Sequence, residues 1–326
     1  MLLPSLSFLL FLLLFFFRAP GLSAAEREIQ RPAIVLVTPG PVDPNNLKAL
    51  TGLGARVQEA FPCYEIRYAF TRAASRKLWN QRGGDCNFKK YFPWVDERFY
   101  AVKNTITILA LIQEAGPRLI LVQPLELVDG REYHDLVNIV ENLRRIKSFD
   151  RDNTPFPYIG LGSPAMGLGG GQKENLFQMA GVLSPLYREA EEREGAALLV
   201  VDSRGEAATP AYKSFQDVLS LAYPAVPTFI GLSGQTGPGA HVLDEMRKTL
   251  KPETPVFLAS LAFELDDELR REIFGEEEGT WLSAVKARGL EVVSREESLC
   301  ESRLYADLFI GSLKKMEESV SRRYTD

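Results

Sequence analysis

The chain has 326 residues, of which 45% are hydrophobic and 25% are charged, a composition typical of a globular protein. This length is enough for two compact lobes of roughly 130–150 residues each. The formal net charge is −5 and no long basic block occurs, so we do not expect nucleic acid to be a partner.

The first 25 residues have the character of a secretion signal. Residues 2–17 are almost wholly apolar, and small residues ending in Ala24 and Ala25 follow them. No Lys or Arg precedes the apolar run, which departs from the usual pattern. The alternative is an uncleaved membrane anchor, but about 16 residues are fewer than the roughly 20 that span a bilayer. The sequence therefore predicts a signal peptide over residues 1–25 and an exported, periplasmic protein without a membrane span after cleavage.

Strand and helix patterns alternate through the first half of the chain. Short aliphatic runs predict buried parallel strands near residues 33–37, 64–69 and 119–123. Apolar residues at three- and four-residue spacing between these runs predict helices. We assign residues 32–150 to an N-terminal lobe, and residues 151–195, which contain several Gly- and Pro-rich turns, to a crossover.

The second half repeats this order, with strands predicted near 197–201, 228–231 and 255–259. The segments that leave the third strand of each half are also alike, QPLEL at residues 123–127 and SLAFEL at residues 260–265. We assign 196–316 to a C-terminal lobe and 317–326 to a tail. The predicted fold is α/β, with two similar lobes, each a parallel sheet flanked by helices. A ligand cleft is expected between the lobes, where the carboxyl ends of the strands face each other.

The three cysteines, Cys63, Cys86 and Cys300, are an odd number, so at least one thiol is left over. Export would permit a disulfide. Cys63 and Cys86 flank one predicted helical segment and are the favoured pair, while three unpaired cysteines are an equally good interpretation. The chain contains no CxxCH, CxxC or HExxH, so covalent haem and the usual zinc sites are not supported.

Three stretches resemble the anaerobic sirohydrochlorin cobaltochelatase family of the class II chelatase superfamily. They are EAFPCYEIRYAFT at residues 59–71, VQPLELVDGREY at 122–133, and GEEEGTW at 275–281, followed by GLEV at 289–292. The similarity runs through most of residues 32–316, with an insertion near residues 79–100. The resemblance implies a two-lobed chelatase that inserts Co²⁺ into the tetrapyrrole sirohydrochlorin during cobalamin biosynthesis. No organic cofactor is implied, and homo-oligomerisation is left open.

Metal insertion needs a ligand that holds the metal and a base that takes two pyrrole protons, and neutral imidazole suits both tasks. By the resemblance, one family histidine position corresponds to Ser203 and another falls near Glu268, so neither histidine is present. Glu132 matches the first-lobe carboxylate of the family. The resemblance therefore implies catalytic roles at Glu132 and Ser203, and we expect chelatase activity to be weakened or lost.

Other residues near the predicted cleft could contact the metal in place of the two missing histidines. The chain has two histidines, and His134 follows Glu132 by two residues at the start of a predicted helix, facing either the cleft or solvent. His241 is expected to be structural. We name Glu132, His134 and Glu268 as candidate metal contacts. The alternative for Glu268 is a solvated helix start favoured by the helix dipole.

The carboxylate arms of sirohydrochlorin require cationic partners, preferably arginines. Arg67 and Arg72 follow or lie in the second strand, and Arg204 follows the first strand of the second lobe, so all three are candidate substrate contacts. Their alternative is a place in solvated helix faces and surface salt bridges. Two functions stay open: an enzyme, or an exported tetrapyrrole- or metal-binding protein derived from a chelatase.

Overall fold

Two four-stranded parallel sheets form the frame of the protein. The computed structural model describes residues 31–116, 119–149, 154–167, 172–202, 209–234 and 238–325. The first sheet has the order β2-β1-β3-β4 and the second has the order β6-β5-β7-β8, so the two sheets share one topology. The strands are β1 (Ala33–Thr38), β2 (Glu65–Phe70), β3 (Ile120–Pro124), β4 (Ile159–Leu161), β5 (Ala196–Val201), β6 (Thr228–Leu232), β7 (Val256–Leu261) and β8 (Val292–Arg295). The predicted α/β fold with two similar parallel sheets is confirmed.

The central strands are mostly apolar because helices cover both faces of each sheet. Every residue of β1, β5 and β7 is buried. In register, Val37 of β1 lies opposite Ala69 of β2 and Pro124 of β3. Val201 of β5 is the corresponding residue of the second sheet, opposite Leu232 and Leu261. The first three strands of each sheet therefore end together, and this brings their exit loops to one edge.

Twelve α-helices surround the sheets in the described part of the chain. They are α1 (Pro44–Ala60), α2 (Ala73–Gly83), α3 (Cys86–Tyr91), α4 (Thr105–Glu114), α5 (Arg131–Arg145), α6 (Gln172–Val182), α7 (Ser184–Glu192), α8 (Thr209–Ala222), α9 (Ala240–Thr249), α10 (Asp267–Phe274), α11 (Trp281–Lys286) and α12 (Arg303–Thr325). Short 3-10 helices occupy Glu97–Ala101 and Leu299–Glu301. The local sequence explains where the α-helices begin. At α1, for example, the Asp43 side chain accepts a hydrogen bond from the Asn45 amide at 2.6 Å, and Pro44 is the first helical residue.

The insertion near residues 79–100 folds into the end of α2, α3 and a 3-10 helix around an aromatic cluster. Trp79 is fully buried, with the rings of Phe88 and Tyr100 at 6.0 and 6.5 Å. Its indole Nε1 donates to the Pro41 carbonyl at 2.6 Å, and Arg82 donates to the Val42 carbonyl at 2.6 Å. The insertion therefore holds the loop that follows β1.

The last helix, α12, returns to the first lobe instead of ending within the second. The Tyr305 hydroxyl donates to the Leu125 carbonyl at 3.2 Å, and Asp307 forms an ion pair with Arg56 of α1 at 2.7 Å. Phe309 and Leu313 continue the four-residue spacing of Tyr305 and are fully buried, in one core cluster with residues of both sheets. The predicted boundary between residues 316 and 317 falls inside this helix, because a continuous apolar stripe carries it across the first lobe.

All three cysteines are unpaired. Cys63 lies before β2 and Cys86 begins α3, and both are exposed and free, while Cys300 is buried and free. The favoured Cys63–Cys86 pairing is therefore not formed, and the alternative of three unpaired cysteines is the one that the structure shows. Across the ranges described above, no helix is long and apolar enough to cross a membrane.

Candidate active site

A cavity of about 300 Å³ lies where the carboxyl ends of the two sheets face each other. The loops that leave β1, β3, β5 and β7 all contribute to it, as do the starts of α2 and α5. Its lining residues are Pro39, Arg72, Glu126, Leu127, Val128, Gly130, Arg131, Glu132, Asp202, Tyr212, Leu261, Ala262, Phe263 and Glu264. This is the predicted position of the cleft, since exit loops of parallel strands meet at one edge.

The loop after β1 forms one wall and requires a glycine. Gly40 has a φ of +104°, and a Cβ at this position would lie 2.7 Å from the Phe70 ring. Only glycine fits this turn without strain. The Thr38 side chain, fully buried at the end of β1, accepts a hydrogen bond from the Gly40 amide at 3.4 Å. The turn therefore determines where the Thr38 hydroxyl points.

Two predicted site residues, Arg72 and Glu132, meet at the mouth of the cavity. Arg72 Nε lies 3.1 Å from Glu132 Oε1, and the two side chains are 57% and 32% exposed. Glu132 belongs to the first turn of α5, where the helix dipole favours a carboxylate. An ion pair this exposed stabilises the folded protein by only about 0–1 kcal/mol. A ligand can therefore replace either partner of the pair with little loss of stability.

A carboxyl group at the floor of the cavity bridges the two lobes. Glu264 follows β7 of the second lobe, and its Oε1 accepts a hydrogen bond from the Thr38 hydroxyl of the first lobe at 3.4 Å. It is partly accessible from the cavity and otherwise enclosed by protein. Burial raises the pKa of Glu264 to about 7, against the lowering effects of Arg72 and the Thr38 hydrogen bond. The charges of Asp266 and Asp202 raise its pKa further.

The lining of the cavity combines acidic and basic side chains. Four of the lining residues are carboxylic acids, Glu126, Glu132, Asp202 and Glu264, and two are arginines, Arg72 and Arg131. Carboxylates can accept protons and approach divalent cations, and guanidinium groups pair with carboxylate arms. Within the described residues, no group of three or more His, Cys, Asp or Glu is arranged to hold a metal ion.

The structure corrects the assignment of Arg67 as a substrate contact. Arg67 lies in the middle of β2, three residues before the strand ends, and is exposed. It forms an ion pair with Glu65 on the same strand and does not line the cavity. Alternate residues of a strand point to the same face, which explains this pairing.

His134 and Glu268 also lie outside the cavity. His134 is exposed on α5, two residues after Glu132, and a rotation of about 200° over two helical positions turns it away from the cavity face. Glu268 is exposed in the first turn of α10, where Asp266 caps the helix by accepting from the Leu269 amide at 2.8 Å. Both positions fit the solvated alternatives better than a metal contact. His241 is likewise exposed, in the first turn of α9.

Ser203 and Arg204 lie outside the described residues. The residue before them, Asp202, directly follows β5 and lines the cavity. Glu264, Thr38 and Asp202 received no role from the sequence. The sequence feature that could have identified Glu264 is the similarity of the two segments that follow the third strand of each lobe. Glu126 and Glu264 lie in these segments, and both line the cavity.

A larger groove of about 720 Å³ runs along α1 and the start of α12. Its lining includes Arg56 and Arg270, which are paired with Asp307 and Glu296. Among the described residues, its lining comes from helices and not from strand ends, so we place the candidate active site in the cavity between the lobes.

Comparisons with known proteins agree with this geometry. The family model described as cobalt chelatase (CbiK) matches residues 32–318. A curated relative, the sirohydrochlorin cobaltochelatase CbiKC of Nitratidesulfovibrio vulgaris, is 24% identical over 262 residues, covering 79% of this chain and 80% of the relative. The solved structure of SirB from Bacillus subtilis with Fe³⁺ is similar in fold, with a TM-score of 0.54, 13% identity and coverage of 88% of this chain and 95% of that chain. The chain therefore belongs to the cobalt chelatase (CbiK) family.

Proposed function

We propose that this protein inserts Co²⁺ into sirohydrochlorin in the cavity between its two lobes, after export to the periplasm. The family membership supports a chelatase, and the relative from Nitratidesulfovibrio vulgaris supports cobalt and sirohydrochlorin as the substrates. The observation that carries the proposal is the cavity itself, in which four carboxylic acids and two arginines meet at the facing strand ends.

The exposed pair of Arg72 and Glu132 is the proposed entry point. A carboxylate arm of the tetrapyrrole would displace Glu132 as the ion-pair partner of Arg72, because a bidentate guanidinium–carboxylate pair is at least as favourable as the single 3.1 Å contact. The Glu132 carboxylate would then be released toward the incoming Co²⁺. Substrate binding and metal approach would be coupled through this exchange.

The size of the cavity restricts how the macrocycle sits. About 300 Å³ is at the lower end of the volumes found for small-molecule sites. A ring of four pyrroles would therefore enter by one edge and leave the rest in the open mouth. Edge-on entry keeps several carboxylate arms near Arg72 and Arg131.

The test is an anaerobic incubation of the purified mature protein with sirohydrochlorin and Co²⁺, followed by absorbance. A rate above that of the protein-free mixture supports the enzyme. A stoichiometric spectral change without turnover would instead support a tetrapyrrole-binding protein that does not catalyse insertion.

The variant Arg72→Gln provides a matched comparison. It should raise the KM for sirohydrochlorin about tenfold or more, the range expected for loss of a charge-assisted hydrogen bond. The control Arg145→Gln changes an exposed arginine in the last turn of α5, at the end remote from Glu132. An equal effect of the two variants would contradict a role for Arg72 in the cavity.

A further inference from the structure

The proton acceptor is the part of the reaction for which the family resemblance finds no histidine in this chain. Insertion of a divalent metal releases two pyrrole protons, and a general base works best when its pKa lies near the pH of the reaction. Of the residues that the structure describes, no histidine lines the cavity. An acceptor must therefore come from the other side chains at the cavity.

Glu264 is the carboxyl group that the two lobes position together. It leaves β7 of the second lobe, and Thr38 of the first lobe donates a hydrogen bond to it across the cavity floor at 3.4 Å. The Thr38 hydroxyl accepts from the Gly40 amide, so its own proton is directed to Glu264. The carboxyl group is held from both sides and still reaches the cavity.

The charged groups around Glu264 come from several elements. Arg72, at the start of α2, favours the ionised carboxylate, whereas Asp202 after β5 and Asp266 before α10 oppose it. The thiol of Cys300, in the 3-10 helix that follows β8, is also within electrostatic range. Burial is the largest effect and raises the pKa of Glu264 to about 7. The group can therefore take up and release a proton near neutral pH.

We propose that Glu264 is the catalytic residue that accepts the pyrrole protons during metal insertion, a role that rests on the proposed function. As the metal approaches, each N–H bond breaks and its electron pair stays on nitrogen, which becomes a ligand. The proton passes to the Glu264 carboxylate, which releases it to water that enters the cavity before accepting the second. One metal dication enters, two protons leave, and no electron is transferred.

The experiment compares Glu264→Gln with the wild-type protein in the anaerobic assay, over pH 5.5 to about 8.5, with a protein-free mixture at each pH. In the wild type, kcat should increase as the pH rises through about 7, because the ionised carboxylate is the acceptor. Glu264→Gln should lower kcat by about 10²–10⁴-fold and remove this limb of the profile. The KM for sirohydrochlorin and the affinity for the metal-free tetrapyrrole should change little.

The matched control is Glu253→Gln, an exposed glutamate just before the amino end of β7, whereas Glu264 follows its carboxyl end. It should leave both kcat and the pH profile unchanged. Circular dichroism checks that both variants fold.

Three other outcomes have distinct meanings. If the wild type is active and Glu264→Gln keeps its rate and profile, Glu264 is not the acceptor and the proposed function stands. If Glu264→Gln loses affinity for metal-free sirohydrochlorin in proportion to its rate, Glu264 acts in binding and the inference is wrong. If the wild type is no faster than the protein-free mixture, the proposed function fails and the role of Glu264 fails with it.

Discussion

Replacing Glu264 by Gln should change how the stability of the folded protein depends on pH, even in the absence of substrates. The folded-state pKa of Glu264 is about 7, against an ordinary value of 4.5. Between these two values the folded protein holds a proton that the unfolded chain releases. The contribution of this carboxyl to the free energy of unfolding therefore falls as the pH rises from about 4.5 to about 7.

The size of the effect follows from the shift. Each pKa unit corresponds to about 1.4 kcal/mol, so the full shift corresponds to about 3 kcal/mol. Because Glu264 is partly accessible from the cavity, water reduces the penalty, and we expect about 2–3 kcal/mol. Glutamine has nearly the same shape, accepts the Thr38 hydrogen bond and does not ionise. Glu264→Gln should thus match the wild type near pH 4.5 and be more stable at pH 8.

The assay is urea or thermal unfolding of the wild type, Glu264→Gln and the exposed control Glu253→Gln at pH 4.5, 6 and 8. The midpoint of Glu264→Gln should exceed that of the wild type at pH 8 by on the order of 5 °C. Glu253→Gln should follow the wild type at every pH. If the difference between Glu264→Gln and the wild type is the same at pH 4.5 and 8, the carboxyl titrates normally and its burial has no electrostatic consequence.

Three further predictions concern the loop after β1, the missing imidazoles and the N-terminus. Gly40→Ala should lower the free energy of unfolding by about 1–3 kcal/mol, since the φ of +104° at Gly40 and the Phe70 ring at 2.7 Å exclude a Cβ. Gly52→Ala, in α1 with nothing within 4 Å of the added Cβ, should raise the free energy of unfolding by about 0.5–1 kcal/mol. Denaturant unfolding measures both variants, and equal effects would contradict backbone strain at Gly40. Ser203→His, next in the chain to the cavity residue Asp202, should increase the rate of Co²⁺ insertion, whereas Glu268→His, exposed on α10, should not. The anaerobic absorbance assay measures both rates. A higher rate for Glu268→His alone would mean that the metal site lies outside the cavity. Intact-mass analysis of protein from the native envelope should show a chain that begins near Glu26, and a mass that includes residues 1–25 would favour an anchor.

Local patterns were sufficient to predict six of the eight strands and several of the helices, whereas the short edge strands β4 and β8 were not predicted. The aliphatic runs of β1, β5 and β7 are buried on both faces, a condition that leaves little room for polar residues at any position. The position of the cavity also followed from local order, because strands of one direction must deliver their exit loops to one edge. Glu132 was predicted as a site residue from the family resemblance, and Arg72 was predicted because it follows the second strand and could pair with a carboxylate arm; the two meet at the cavity mouth.

The tertiary structure alone decided which polar residues face the cavity. Glu132 lines it and His134 does not, because the rotation of α5 separates residues two positions apart. The return of α12 to the first lobe depends on packing between segments about 180 residues apart, as in the Tyr305 contact with Leu125. Glu264 and Thr38 are 226 residues apart in the chain, and their contact exists only because the two sheets face each other. Sequence periodicity reports which face of a helix or strand is buried, but the distance between two such elements is set by the packing of the lobes, and so is the pKa of a carboxyl group between them.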